Sequence, residues 1–85
     1  MPYTVIWTEK ALKNLKQLPR ETAARIVAAV ERTRANPLDH LHPLRGSPYF
    51  KLRVGNYRVI LDLRKKTMIV YVIKVGKREN IYDKI

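Results

Sequence analysis

From Tyr49 to Val54 the chain alternates strictly: Phe50, Leu52 and Val54 fall on one side, Tyr49, Lys51 and Arg53 on the other. That is the two-residue period of a half-buried strand with a cationic outer face. Gly55-Asn56 follows as a two-residue turn, because Gly and Asn tolerate the positive φ that such turns use. Residues 57–63 form the return strand, which sets Val54 opposite Tyr57, Leu52 opposite Val59, Arg53 opposite Arg58 and Asp62 opposite Tyr49. A third strand over 68–75 follows a turn at Arg64-Lys65-Lys66-Thr67. Its run Val70-Tyr71-Val72-Ile73 is apolar without alternation, which predicts a central strand covered on both faces.

Upstream, Tyr3, Val5 and Trp7 share one face of a strand over 3–7. Thr8 reads as a helix N-cap, with Glu9 placed in the first turn to suit the dipole. Ala11, Leu12, Leu15 and Leu18 recur at helical spacing until Pro19 ends the segment. A second helix starts at Arg20-Glu21, with Ala23, Ile26, Val27 and Val30 as its buried stripe, and Asn36-Pro37 closes it. Residues 36–48 hold three prolines, two histidines and a glycine and are expected to be a connecting loop. The tail from Gly76 to Ile85 is too short for another element of any size. The predicted fold is α+β: an N-terminal strand, a helical hairpin, then a three-stranded antiparallel meander, all within one domain spanning 1–85.

Composition narrows the function. Of the 85 residues, 46% are hydrophobic, enough for a packed interior, and the absence of cysteine excludes disulfides and thiolate metal sites. No apolar run reaches membrane-spanning length and Met1-Pro2-Tyr3-Thr4 lacks a signal-peptide pattern, so a soluble cytoplasmic protein with no membrane partner is expected. The formal charge of +11 is uneven: seven lysines and arginines against four acids in residues 1–44, eleven against three in 45–85. The second half is the anion-facing part, and nucleic acid is the commonest partner for such an excess, with an acidic protein also suiting the charge.

Arg53 opposite Arg58 sets like charges across a strand pair, an arrangement unfavourable by roughly 0.2–1 kcal/mol; a polyanion would offset it. A second cluster, Gly76-Lys77-Arg78-Glu79-Asn80-Ile81-Tyr82, follows the last strand. The candidate constellation is Lys51, Arg53, Arg58, Arg78 and Tyr82. Several cations around one point suit a phosphodiester, whose charge grows in the pentacoordinate transition state, and a guanidinium can hold two phosphate oxygens at once. Metal-free cleavage of RNA needs the 2′-hydroxyl deprotonated as it attacks phosphorus, and the usual His or Glu base is absent from this cluster. An amine crowded by guanidinium groups gives up its proton more readily, which makes Lys51 a candidate base. Tyr82 is a second candidate, or a platform for a nucleobase. Arg78 is a poor proton donor and better cast as a stabiliser of the leaving oxygen. Arg45, Tyr49, Arg53 and Lys77 are the expected further RNA contacts. His40 and His42 have no third ligand at a metal-like spacing and read as loop residues, so no metal and no cofactor are expected. Tyr3, Trp7, Tyr57 and Tyr71 read as packing residues, and Lys10, Lys13 and Lys16 as a solvated helix face.

Lys-Leu-Arg-Val-Gly-Asn-Tyr-Arg-Val (51–59), followed by Val-Gly-Lys-Arg-Glu-Asn-Ile-Tyr (75–82), resembles the RelE/ParE toxin superfamily. Leu-Lys-Gln-Leu-Pro (15–19) matches as well, so the resemblance covers essentially the whole chain. It implies a RelE-like, microbial-ribonuclease-like fold. The ParE branch acts on DNA gyrase and the RelE branch cleaves messenger RNA in the ribosomal A site; the closing Lys-Arg-Glu followed by Tyr looks like the RelE branch. On that resemblance Lys51 matches a lysine that activates the 2′-hydroxyl, and Arg58 an arginine that stabilises the phosphate. Arg78 matches one assigned to charge stabilisation or leaving-group protonation, and Tyr82 a tyrosine near the scissile site. Tyr49 stands where some relatives have a second lysine, and Lys77 where many have histidine. The resemblance further implies an acidic cognate antitoxin, a toxin–antitoxin hetero-oligomer, and mRNA on the ribosome with 16S rRNA contacts. A gyrase inhibitor and a non-catalytic basic RNA-binding module are the competing readings.

Overall fold

Thr8 ends one element and starts the next. A computed structural model describes residues 2–77; strand β1 (Thr4–Trp7) runs through Thr8 into helix α1 (Glu9–Lys16). The Thr8 hydroxyl accepts from the Ala11 amide at 3.2 Å, a side-chain N-cap, and donates to the Val72 carbonyl at 2.9 Å. One side chain therefore caps the helix and ties it to the last strand. Caps of this kind contribute about 0.5–2 kcal/mol. Thr8→Ala is expected to lower stability by about 1–2 kcal/mol, read as a lower urea midpoint at unchanged m value.

Helix α2 (Arg20–Arg32) starts after Pro19, whose fixed φ suits a helix entrance, and gives way at Thr33. Residues 36–48 do not form the open loop expected from their prolines. Pro37 opens a one-turn helix, α3 (Pro37–His40), where its missing N–H is no loss. Leu41, only 3% exposed, pins the chain to the core, and the next two residues form a short strand, β2 (His42–Pro43). The remaining strands are β3 (Phe50–Val54), β4 (Tyr57–Arg64) and β5 (Ile69–Lys77). They lie in the order β1-β5-β4-β3-β2, with β1 parallel to β5 and the other pairs antiparallel. The expected meander is present, extended by one strand at each side.

Ala11, Ile26, Ala29 and Val30 of the helices meet Leu41 and the inward residues Leu52, Val59, Leu61, Val70, Val72 and Val75 in one apolar cluster. Tyr3, Trp7 and Tyr57 pack at its margin, as expected. Two helix positions differ from expectation: Leu12 and Val27 are exposed, and Ala29 takes the inward place. A small residue there lets α2 approach the sheet closely. Strand β5 is interior, between β1 and β4, yet it is not covered on both faces. Val70, Val72 and Val75 are buried, while Ile69, Tyr71, Ile73 and Lys74 are half-buried on the other face.

Its lost alternation has a different cause. Ile60 pairs with Lys74 but Leu61 pairs with Val72, so Ile73 is an extra residue in β5. This bulge shifts the phase, lets Val72 and Val75 both face the helices, and turns Lys74 to the outer face. The hairpin turns also differ in detail. Gly55 alone takes a positive φ, 58°, as the first central residue of a type II′ turn does. At the β4–β5 turn Met68 adopts φ 56°, and its carbonyl accepts from Thr4 at 2.9 Å, fastening β1 beside β5. No helix among the described residues is long and apolar enough to cross a membrane.

Candidate active site

Register decides which cations meet. Residues directly opposite in a sheet project from the same face, and on the face away from the helices His42, Lys51, Ile60 and Lys74 form one row across β2, β3, β4 and β5. The adjacent row is Arg53, Arg58 and Gly76. Neighbours within a row have Cβ atoms roughly 4.5–5.5 Å apart. His42, Pro43, Lys51, Arg53 and Arg58 line a cavity of about 490 Å³ on this face.

Arg58 is the most constrained of these residues, at 8% exposure. Its Nη1 donates to the Tyr57 carbonyl at 2.9 Å and to the Gly55 carbonyl at 3.1 Å. The Gly55 turn thus grips the guanidinium, and the contact explains how Arg53 and Arg58 stand opposite one another: Arg58 is drawn into the turn while Arg53 stays exposed. Its two hydrogen-bond partners here are neutral carbonyls, which do not offset the guanidinium charge. Among the described residues no carboxylate lies within ion-pairing distance of Lys51, Arg53 or Arg58. Asp62, the acid nearest along β4, accepts from Arg64 Nε at 2.9 Å. Ile60, with no exposed surface, lies on this face and outside the helix-side cluster.

The other expected site residues are placed apart. Tyr49 is half-buried just before β3, its carbonyl accepting from Leu44 at 2.9 Å. Arg45 is exposed on the turn that follows β2 and does not line the cavity. Lys77 ends β5 in register with Tyr57, a row that faces the helices and not the cation cluster. Arg78 and Tyr82 lie outside the described residues. His42, expected to be an ordinary loop residue, is brought into the cavity by β2; the imidazole missing from the cluster in sequence comes from there. The signal that could have found it is the spacing of Leu41, a lone apolar residue that anchors the segment beside β3.

Further hollows adjoin the sheet. Arg53 also lines one of about 440 Å³ with Arg25 and Arg32 of α2, so positive charge continues round the open edge of β3. A groove of about 650 Å³ follows the β4–β5 turn past Arg64, Lys65, Lys66 and Tyr71. It lies six residues along β4 from Arg58, about 20 Å away at strand rise, and takes no part in the cluster.

Comparison with known proteins identifies the family and the fold. Residues 5–82 match the family described as the ParE toxin of type II toxin-antitoxin system, parDE. The chain is 30% identical over 82 residues to the mRNA interferase toxin RelE of Escherichia coli (strain K12), covering 93% of this chain and 86% of that protein. The fold is similar to the crystal structure of the toxin-antitoxin complex RelBE2 from Mycobacterium tuberculosis, with TM-score 0.85 and 29% identity over 94% of this chain and 95% of that one. It is also similar to the intact E. coli RelBE toxin-antitoxin complex, with TM-score 0.78 and 25% identity over 92% and 99%. A whole-length family match, a shared α+β fold and the cationic hairpin coincide: the chain belongs to the RelE/ParE superfamily of type II toxin–antitoxin toxins.

Proposed function

We propose that this toxin is a ribosome-dependent endoribonuclease that cleaves messenger RNA in the cytoplasm. The reaction is transesterification without a metal: the 2′-oxygen attacks the adjacent phosphorus, leaving a 2′,3′-cyclic phosphate and a 5′-hydroxyl. The observation that carries the reading is Arg58, buried, gripped by turn carbonyls and unpaired by any described carboxylate, beside Lys51 and Arg53 in one cavity. Fixed donors aimed at a growing phosphorane charge act most strongly where water is thinned out. Arg58 would hold the non-bridging oxygens, Lys51 would lie at a bridging oxygen, and Arg53 would guide the strand onward to Arg25 and Arg32. Arg78 and Tyr82 are assigned by resemblance to the leaving oxygen and the scissile nucleotide. The similarity to a protein named mRNA interferase supports the substrate. The similarity to toxins solved with their antitoxins supports an acidic antitoxin that forms a hetero-oligomer with this chain and opposes its charge of +11.

A second reading, inhibition of DNA gyrase, is favoured by the description of the matching family as ParE toxin. Primer extension on messages after brief induction separates the two. Cuts at defined codon positions with the native chain, absent with Arg58→Ala, are expected. Growth arrest with DNA-damage signalling and intact messages would move the assignment to gyrase.

A further inference from the structure

The row that contains Lys51 also contains an imidazole, that of His42. Resting on the nuclease reading above, we infer that His42 is the general base of the reaction, taking the proton from the 2′-hydroxyl, and that Lys51 serves as the cation that protonates the leaving oxygen.

Three observations meet here. His42 is the direct register partner of Lys51, so both side chains rise from the same face at neighbouring positions. Both line the cavity that holds Arg53 and Arg58. Of those four side chains a neutral imidazole alone offers a ring nitrogen to accept a proton, whereas ammonium and guanidinium carry donors only. Sequence and resemblance cast Lys51 as the base; the adjacent imidazole takes that role and leaves the Lys51 ammonium as a donor.

The step balances without a co-reactant. A ring nitrogen of neutral His42 takes the proton from the 2′-hydroxyl as the O2′–P bond forms. The P–O5′ bond breaks, and the departing oxygen takes a proton from the Lys51 ammonium. Imidazolium and amine then exchange protons with water and return to their starting states. Arg58 carries the negative charge of the pentacoordinate phosphorus meanwhile.

The groups facing His42 are Lys51 and Arg53 from β3 and Arg58 from β4, with Lys74 of β5 further along its row beyond Ile60. Asp39, His40 and Arg45 flank it on its own segment. His40 closes α3 and does not line the cavity, which makes it the internal comparison.

The test is the single-turnover rate of cleavage of mRNA on ribosomes from pH 5 to 8, with the native chain, His42→Gln, His40→Gln and Arg58→Ala. The native rate is expected to climb with pH and level off, as a base must be neutral to act. His42→Gln should lose roughly 10²–10⁴-fold, the range for general acid–base groups, and its profile should lose that climb; His40→Gln should follow the native curve. A message with sulfur replacing the scissile 5′-oxygen needs no acid to leave. It should not rescue His42→Gln, whereas free imidazole should partly restore His42→Ala. An unaltered rate and profile in His42→Gln would overturn the role while leaving the nuclease reading intact, provided the native chain cuts and Arg58→Ala does not. Rescue by the sulfur substrate would overturn it too, showing His42 to be the acid. No cutting by the native chain at any pH would remove both conclusions together.

Discussion

Arg58→Ala is expected to lower the single-turnover cleavage rate by roughly 10²–10³-fold, the usual loss when one fixed donor to a developing oxyanion is removed. It should also reduce stability by about 1–3 kcal/mol, because the Gly55 and Tyr57 carbonyls lose the buried donor they share. The two effects are separable. Measured well below the unfolding midpoint, the rate loss should persist while the folded fraction stays near one. Arg58→Lys supplies the sharper contrast: an ammonium keeps the charge but cannot both hold the turn carbonyls and present a planar fork to phosphate. It should recover part of the stability and little of the rate. A fully active Arg58→Ala, folded by circular dichroism, would show that the buried guanidinium is only a turn fastener.

The hairpin that carries Arg58 is the part of the fold most legible in sequence, and for a plain reason. Phe50, Leu52 and Val54 alternate with Lys51 and Arg53, and a two-residue turn at Gly55-Asn56 leaves a single register. The structure has that register, Leu52 to Val59 and Arg53 to Arg58. Thr8 and Pro19 were equally readable, since each acts through its own backbone chemistry. Positions set by tertiary contact were not. Val27 and Ala29 are both apolar and both near the right angle on α2, and only the closeness of the sheet selects Ala29. The bulge at Ile73 depends on two strands being compared, which no property of β5 alone reveals.

The same division runs through the candidate site. Lys51, Arg53 and Arg58 belong to one local unit, so their meeting follows from period and turn. His42 lies nine residues before Lys51 and joins it only because α3 and the burial of Leu41 bring a two-residue strand alongside β3. Lys77 shows the opposite case. Proximity in sequence groups it with Arg78, yet the phase of β5 beyond the bulge puts it in the row of Tyr57, on the helix side of the sheet.

Ile60→Ala should be among the most damaging single substitutions on the outer face, costing about 2–5 kcal/mol. Ile60 has no exposed surface, and its register places it on the outer face and outside the helix-side cluster. Its row neighbours are Lys51 and Lys74, and Arg58 and Asp62 flank it along β4. Long cationic side chains lay their methylene stems over apolar surface and keep the charge at the tip. Those of Lys51 and Lys74 are in position to do so here. Truncation to alanine would remove the surface that orients them and admit water beneath the charges, weakening each attraction to phosphate. A domain of this size has on the order of 0.05–0.15 kcal/mol of stability per residue, so the loss would consume much of its margin. Urea unfolding should show a large fall in midpoint for Ile60→Ala, and a fall of about 0.5–1.5 kcal/mol for Ile60→Val. Cleavage at low temperature, where both variants remain folded, should drop for alanine and hold for valine. A midpoint change within about 0.5 kcal/mol for Ile60→Ala, the range of ordinary surface substitutions, would mean that the cations stand clear of Ile60 and that the face derives its order from the turn at Gly55 alone.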